Sequence, residues 1–137
     1  MKIMPYLQFN GNCAEAIAVY EKAFGAKAKP FKYSDTPPSE GYTPPPGTEN
    51  FIMHACVEVG GNGVLNLCDI TPDMKTTFGN GISIYAEFKD AEAVKSSFEV
   101  LKEGGHVVME PQKTFWSKCF GSLEDKFGIG WMLSVED

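Results

Sequence analysis

The order of the predicted elements repeats along the chain, and this repeat limits the possible folds more than any other feature. The same helix start, Ala-Glu-Ala followed by Ile or Val, occurs at 14–17 and at 91–94. Each helix follows one strand-like segment and precedes three others, which indicates two β-α-β-β-β modules from an internal duplication. The predicted strands are 3–9, 27–34, 51–59 and 64–69, then 82–88, 106–110, 118–124 and 130–135.

Both predicted helices have recognisable ends. Asn12 precedes the first helix, with Glu15 placed to complete a capping box, and Asp90 precedes the second. Gly25 suits a left-handed end for the first helix, and 104–105 (Gly-Gly) ends the second. Each helix has one apolar face, formed by Cys13, Ile17, Tyr20 and Phe24 in the first and by Ala91, Val94, Phe98 and Leu101 in the second.

Two segments between strands predict loops of different kinds. Residues 35–49 contain five prolines and two glycines, which exclude a helix or an inner strand and leave a loop that is either a lid or a plain excursion. Residues 60–63 (Gly-Gly-Asn-Gly) lie between two strands and predict a hairpin. A phosphate-binding glycine loop requires a helix after it, and 64–67 has a strand pattern, so nucleotide binding is not expected.

Alternation divides each strand into two rows, and one row is more apolar. The apolar rows should pack under the helices, which predicts an α+β fold: one domain, 1–137, of two modules (about 1–70 and 80–137), with the helices on the outer face. The apolar rows are Leu7/Phe9, Met53/Ala55/Val57, Leu65/Leu67, Ile82/Ile84/Ala86/Phe88 and Trp131/Leu133/Val135. The opposite rows are Met4/Tyr6/Gln8, His54/Cys56/Glu58, Val64/Asn66/Cys68, Ser83/Tyr85/Glu87 and Met132/Ser134. These mixed rows are typical of a pocket or a subunit contact.

The strand at 51–59 carries His54, Cys56 and Glu58 in one row. Residues two apart on a strand are separated by about 6.6–6.8 Å along it, so His54 and Glu58 are too far apart to chelate one ion by themselves. The hairpin should set either His54 or Cys56 opposite Cys68, which brings a thiol close to His54. The row is therefore either a buried histidine beside two inert thiols or a catalytic pair.

Composition excludes several classes of protein. The 137-residue chain has a net charge of −6 and all twelve of its basic residues are lysine, so a nucleic-acid partner is not expected. The chain contains no apolar run of about eighteen residues, so no membrane span is expected. Residues 1–5 have no signal-peptide pattern, which favours the cytoplasm. The four cysteines form no Cys-x-x-Cys pair and are expected to be reduced.

Three segments, 5–26, 53–69 and 115–133, resemble the PhnB-like branch of the vicinal oxygen chelate superfamily, which includes glyoxalase I, extradiol dioxygenases and bleomycin-resistance proteins. The last segment, with Trp116 and Trp131, is the most specific. The branch usually has Gly, Arg and Pro where this chain has Ser117, Cys119 and Lys126, which brings into question any substrate contact of that arginine.

The resemblance implies two βαβββ modules that form a curled mixed sheet around a cavity, and a homodimer. In metal-dependent relatives it implies ligands on the first and last strand of each module. The relatives use His and Glu there. None of the residues of this chain at those positions is a good ligand for a hard or borderline divalent cation, so no metal or other cofactor is expected. The matching positions are Met4 (or Pro5), Asn66, Ser83 and Met132.

Three functions are compatible with these observations. The first is binding of an uncharged or weakly cationic small molecule in a metal-free cavity, with Glu58 and Glu87 favouring a cation. The second is a lyase or isomerase with His54 as acid/base beside Glu58 or Cys68, because histidine changes charge near neutral pH. The third is a structural dimer with a vestigial site.

The branch sometimes carries a demethylubiquinone methyltransferase label, but the sequence has no glycine-rich cofactor loop to support it. The candidate ligand-binding residues are Tyr6, Gln8, His54, Asn66, Cys68, Ser83, Tyr85, Trp116 and Met132, with Phe115 beside them.

Overall fold

A computed structural model describes residues 1–37, 41–60 and 63–137. The chain divides into two compact units, Met1–Thr76 and Thr77–Asp137. Within the described residues no helix has the length and hydrophobicity needed to cross a membrane.

The first unit contains a four-stranded mixed sheet and one helix. Its strands have the order β1-β4-β3-β2, in which β1 runs parallel to β4 and the other neighbours are antiparallel. The elements are β1 (Tyr6–Phe9), α1 (Cys13–Phe24), β2 (Phe31–Lys32), a short 3₁₀ turn (Tyr33–Asp35), β3 (Ile52–Glu58) and β4 (Val64–Asp69).

The second unit repeats this arrangement. Its strand order is β5-β8-β7-β6, again with one parallel pair, β5 and β8. The predicted α+β fold with two βαβββ modules is therefore confirmed, and each module has its own open sheet. The elements are β5 (Ser83–Phe88), α2 (Ala91–Leu101), β6 (His106–Gln112), β7 (Phe120–Glu124) and β8 (Gly130–Val135).

The helix ends agree with the predictions at the start of α2 and at the end of α1, whereas α2 ends at Leu101 with Lys102 as its cap, before the predicted Gly104 and Gly105. Asp90 accepts a hydrogen bond from the Ala93 N–H, and Gly25 has the left-handed conformation (φ 63°). The side chain of Asn12 makes no capping hydrogen bond, so the cap predicted there is wrong. The carboxylate of Asp69, at the end of β4, accepts the N–H of Cys13 instead (2.9 Å). A residue distant in sequence therefore caps the helix, and local patterns cannot indicate it.

The core lies between each helix and one face of its sheet. In the first unit α1 buries Cys13, Ile17 and Tyr20, as predicted. The apolar rows of β1, β3, β4 and β8 are buried, which confirms the assignment of faces for Leu7/Phe9, Ala55/Val57, Leu65/Leu67 and Trp131/Leu133/Val135. Ile82 is an exception, because it precedes β5 and is 82% exposed, so its assignment to the core row is wrong.

Prolines explain two strand boundaries that differ from the predictions. The first strand begins at Tyr6 instead of residue 3, directly after Pro5, which has no N–H to donate to a ladder. The strand expected at 27–34 is reduced to Phe31–Lys32 and one isolated bridge between Ala28 and Val57, with Pro30 between them. Proline therefore shortens both edge strands of the first sheet.

The two predicted loops are only partly described. Residues 38–40 and 61–62, parts of the proline-rich loop and of the hairpin turn, lie outside the described residues. Gly63 accepts the N–H of Val59 (2.9 Å), and β3 and β4 pair antiparallel, which confirms the hairpin. In the proline-rich loop the ring of Tyr42 lies 6.3 Å from the ring of Tyr33, and Thr48 is fully buried.

Candidate functional site

The face of the first sheet that points away from α1 carries most of the candidate residues in this unit. We call it the open face of the first sheet; it consists of Met4, Tyr6, Gln8, Phe31, His54, Cys56, Asn66 and Cys68. The register sets Tyr6 opposite Asn66 and Asn66 opposite Cys56, and it sets Gln8 opposite Cys68. The five candidates of the first module, Tyr6, Gln8, His54, Asn66 and Cys68, therefore lie on one surface.

The position of His54 follows from the same register. Ala55 lies opposite Leu67. Extending this antiparallel register by one residue sets His54 opposite Cys68. The sequence allowed either His54 or Cys56 at that place, and Cys56 lies opposite Asn66 instead. On its other side His54 pairs with Phe31 of β2. His54 is exposed, so the alternative of a buried histidine is wrong, whereas Cys68 is only 9% exposed.

Tyr6 and His54 form the closest polar contact of this surface. The Tyr6 hydroxyl lies 2.8 Å from Nδ1 of His54, and the two ring centroids are 5.7 Å apart. Partial burial raises the pKa of Tyr6, and the Cys68 thiol raises it further. The phenol therefore retains its proton at neutral pH and is available as a donor.

Cys68 is the least exposed residue of the open face of the first sheet. Burial raises the pKa of its thiol, and the neighbouring Tyr6 hydroxyl opposes that rise. A protonated thiol is a poor nucleophile. This cysteine is therefore suited to packing and weak hydrogen bonding, not to covalent catalysis.

The positions that match the metal ligands of the superfamily carry neither a carboxylate nor an imidazole in this chain. In the first sheet the amide nitrogen of Asn66 donates to the sulfur of Met4 (3.9 Å), which leaves one amide oxygen and one thioether. In the second sheet the corresponding residues are Ser83 and Met132. Hard or borderline divalent cations require carboxylate or imidazole ligands. Over the residues that the structure describes, no three His, Cys, Asp or Glu side chains are grouped to hold an ion.

The second unit has its own open face. The register sets Tyr85 opposite Met132 and Met132 opposite Ser122, and Tyr85 and Met132 are exposed. Ser83 lies opposite Gly130 at the start of the same strands. Three of the four candidates of this module, Ser83, Tyr85 and Met132, therefore share one surface.

The fourth candidate of this module, Trp116, belongs to the loop between β6 and β7. Its ring lies 5.4 Å from Phe120, edge to face, and Phe115 packs edge to face on Trp116 (4.8 Å). Trp116 is partly exposed and Phe115 is almost fully exposed. These rings present aromatic surface at one end of the second sheet.

Ser117 holds this loop in place, a role that the sequence did not indicate. Its hydroxyl accepts a hydrogen bond from the Ser134 hydroxyl (2.7 Å) and donates to the Cys119 carbonyl (2.9 Å). Ser117 replaces the usual glycine of the branch, so a side-chain bond fixes a segment that glycine would leave without one. Cys119, where the branch usually has arginine, is buried. Position 119 therefore does not present its side chain for substrate contact.

Sequence reasoning also missed Asp69 and Phe31. Asp69 is 2% exposed, and its carboxylate accepts the N–H groups of Gly11, Cys13 and Ile52, each at 2.9 Å. Asp69 thereby ties together the start of α1, the start of β3 and the end of β4. Phe31 borders His54 on the open face of the first sheet. The only sequence evidence that pointed to Phe31 was its position in a predicted strand.

Similarity to known proteins is high over almost the whole chain. Residues 1–134 match the family model described as 3-demethylubiquinone-9 3-methyltransferase. Protein YjdN of Escherichia coli is 32% identical over 142 residues, covering 98% of this chain and 95% of YjdN. The crystal structure of PA1353 from Pseudomonas aeruginosa is 34% identical, with a TM-score of 0.85 and coverage of 99% and 98%.

Two further structures link the chain to a wider group. The PhnB protein of Bacillus cereus, whose description names the same methyltransferase, is 26% identical, with a TM-score of 0.77 and coverage of 99% and 100%. A glyoxalase/bleomycin resistance protein/dioxygenase family enzyme of Burkholderia phytofirmans is 14% identical, with a TM-score of 0.61 and coverage of 95% of each chain, and it shares the fold. The chain has the fold of that enzyme, and it belongs to the PhnB-like family of the 3-demethylubiquinone-9 3-methyltransferase model.

Proposed function

We propose that this chain binds an uncharged or weakly cationic small molecule in a metal-free cavity, and that the open face of the first sheet forms one wall of it. The observation that carries the proposal is the exposed pair of Tyr6 and His54, joined at 2.8 Å. Phe31 offers apolar contact beside His54, and Gln8 and Asn66 offer amides to orient a ligand. A surface of rings and amides without a lysine suits a ligand without negative charge.

The open face of the second sheet is a separate candidate surface. Tyr85 and Met132 are exposed neighbours there, and Glu87 follows Tyr85 in the same row. A carboxylate beside an aromatic ring favours a cationic group. We include Ser83, Tyr85, Trp116 and Met132 as proposed ligand contacts of this module.

The methyltransferase in the family description is not the function that we propose. Nucleotide-containing cofactors bind at crossovers of parallel strands with glycine-rich turns. In the described residues each sheet has a single parallel pair, β1 with β4 or β5 with β8. This topology provides no such crossover, which favours binding over methyl transfer.

A second candidate function is a lyase or isomerase with His54 as its acid/base. The exposure of His54 and its hydrogen bond to Tyr6 favour this alternative, because a catalytic histidine needs access to substrate and a fixed ring. We further propose that the chain forms a homodimer, as the family resemblance implies, and that it acts in the cytoplasm. Sedimentation that shows only monomer at micromolar concentration would contradict the dimer.

A thermal-shift screen tests the binding proposal. The library contains uncharged and monocationic compounds, and the proteins are wild type, His54→Ala and His106→Ala. His106 is the matched control because it is the other histidine and is exposed at the start of β6. Ligands should raise the Tm of wild type and His106→Ala, and raise that of His54→Ala less, because a lost contact weakens binding.

The same screen can refute the proposal. Equal stabilisation of His54→Ala and wild type would remove His54 from the site. Absence of any stabilising compound would leave a structural dimer with a vestigial site as the better account. Turnover of a hit by wild type but not by His54→Ala would favour the enzyme.

A further inference from the structure

We propose that Tyr6 is a positioning residue that holds neutral His54 with its proton on Nε2, so that the site presents an N–H donor and selects ligands with an uncharged oxygen acceptor such as a carbonyl. The ligand part rests on the proposed function. The state of the histidine ring does not, because it is a property of the free protein. The two can therefore fail separately.

The strand order makes this contact possible. Tyr6 lies on β1 and His54 on β3, with β4 between them. Tyr6 is level with Asn66, whereas His54 is level with Cys68, two positions further along β4. The phenol therefore crosses β4 diagonally and reaches the nearer ring nitrogen, Nδ1, at 2.8 Å. Nε2 lies on the far side of the imidazole ring, has no hydrogen-bond partner among the described residues, and is left for a ligand.

The direction of the hydrogen bond follows from the chemistry of the two groups. A neutral imidazole has one nitrogen that accepts and one that donates, and the partner of one nitrogen sets the role of the other. A phenol hydroxyl is a good donor, and an imidazole nitrogen is a better acceptor than a phenol oxygen. Tyr6 therefore donates to Nδ1, which places the proton of His54 on Nε2.

Cys68 is the competing partner for the single proton of the phenol. Sulfur is a weak acceptor, so the phenol proton favours the imidazole nitrogen. Burial raises the pKa of Cys68, so its thiol keeps its proton and offers the phenol only a weak sulfur acceptor. The imidazole nitrogen at 2.8 Å is therefore the preferred acceptor of the phenol proton.

This arrangement changes the chemistry available at the site. With Nε2 protonated, neutral His54 cannot accept a proton from a ligand at its free nitrogen. It can donate a hydrogen bond, and the amides of Gln8 and Asn66 can add further polar contacts. A carbonyl oxygen matches this donor, whereas an ammonium group, which has no lone pair, does not.

Long-range proton–nitrogen NMR on the full chain, labelled with ¹⁵N-histidine at mildly alkaline pH, tests the ring state directly. The chain has two histidines, and His106→Gln assigns the signals. His54 should show a single Nε2–H form, whereas exposed His106 should show an averaged mixture. Tyr6→Phe should convert His54 to the averaged pattern. An Nδ1–H form of His54, or a pattern equal to that of His106 in wild type, overturns the proposal.

Two further measurements complete the test. Cys68→Ala should leave His54 in the Nε2–H form, because the phenol donates to Nδ1 without help from the sulfur; loss of that form would overturn the assignment of Tyr6 as the residue that sets the proton. Benzamide is the carbonyl probe, and benzylamine is the matched probe without a carbonyl. Benzamide should shift the Nε2–H signal more than benzylamine does, and the reverse order or no shift would overturn the ligand part alone.

Discussion

Replacing Asp69 by asparagine should destabilise the first unit strongly, although the two side chains have nearly the same size. Asp69 is buried, and one carboxylate oxygen accepts the N–H groups of Gly11 and Cys13 while the other accepts that of Ile52. An asparagine can keep an oxygen on one side only. Its NH₂ group must then face a backbone N–H, so one hydrogen bond is lost and two donors oppose each other.

The magnitude follows from these contacts. A hydrogen bond to a charged group contributes about 1.5–3 kcal/mol, and an unsatisfied buried N–H costs about 1–3 kcal/mol. The asparagine avoids the cost of burying a charge, which offsets part of the loss. We therefore expect the free energy of unfolding to fall by about 3 kcal/mol, out of a total of roughly 5–15 kcal/mol for a natural domain. The Tm should fall by about 10 °C.

Urea denaturation followed by far-UV circular dichroism measures this loss. Asp73→Asn is the matched control, because it makes the same chemical change four residues later at an exposed position. The control should stay within about 0.5 kcal/mol of wild type. A loss of less than about 1 kcal/mol for Asp69→Asn would show that the three N–H bonds do not hold the end of β4 as argued, since that is no more than one ordinary hydrogen bond.

Three further predictions concern the loop of the second unit, the cysteines and metals. Ser117→Ala and Ser134→Ala should each destabilise by about 1 kcal/mol, and the double variant should lose less than the two separately because they share one bond; additive losses would contradict this. Burial raises the pKa of the Cys13 and Cys68 thiols, so the unfolded thiols release protons first as pH rises. The free energy of unfolding should therefore fall above pH ~8.5, by at most about 1.4 kcal/mol per pH unit for each thiol. Cys13→Ala should make this fall with pH less steep. An unchanged fall would contradict the raised pKa of Cys13. Calorimetric titration with nickel, zinc or manganese should show no tight one-to-one binding, and tight binding would revive metal-dependent chemistry.

The sequence determined the elements and the faces because both depend on local periodicity. Residues spaced three or four apart defined α1 and α2, and alternation separated Ala55 and Val57 from His54 and Cys56. The repeated order of elements indicated two modules, and the structure has one open sheet in each. The prediction was weaker at Pro5 and Pro30, where a missing backbone donor shortened strands that side-chain patterns made longer.

Tertiary structure alone decided which residues of these faces contact one another. The pairing of β3 with β4 chose Cys68 as the partner of His54, which alternation had left open because the turn length was not fixed. The hydrogen bond between Tyr6 and His54 joins residues 48 positions apart, and Asp69 caps a helix that begins 56 residues earlier. Contacts of this kind depend on strand order and register. Local sequence does not encode either of them, because each arises only when distant segments pack into one sheet.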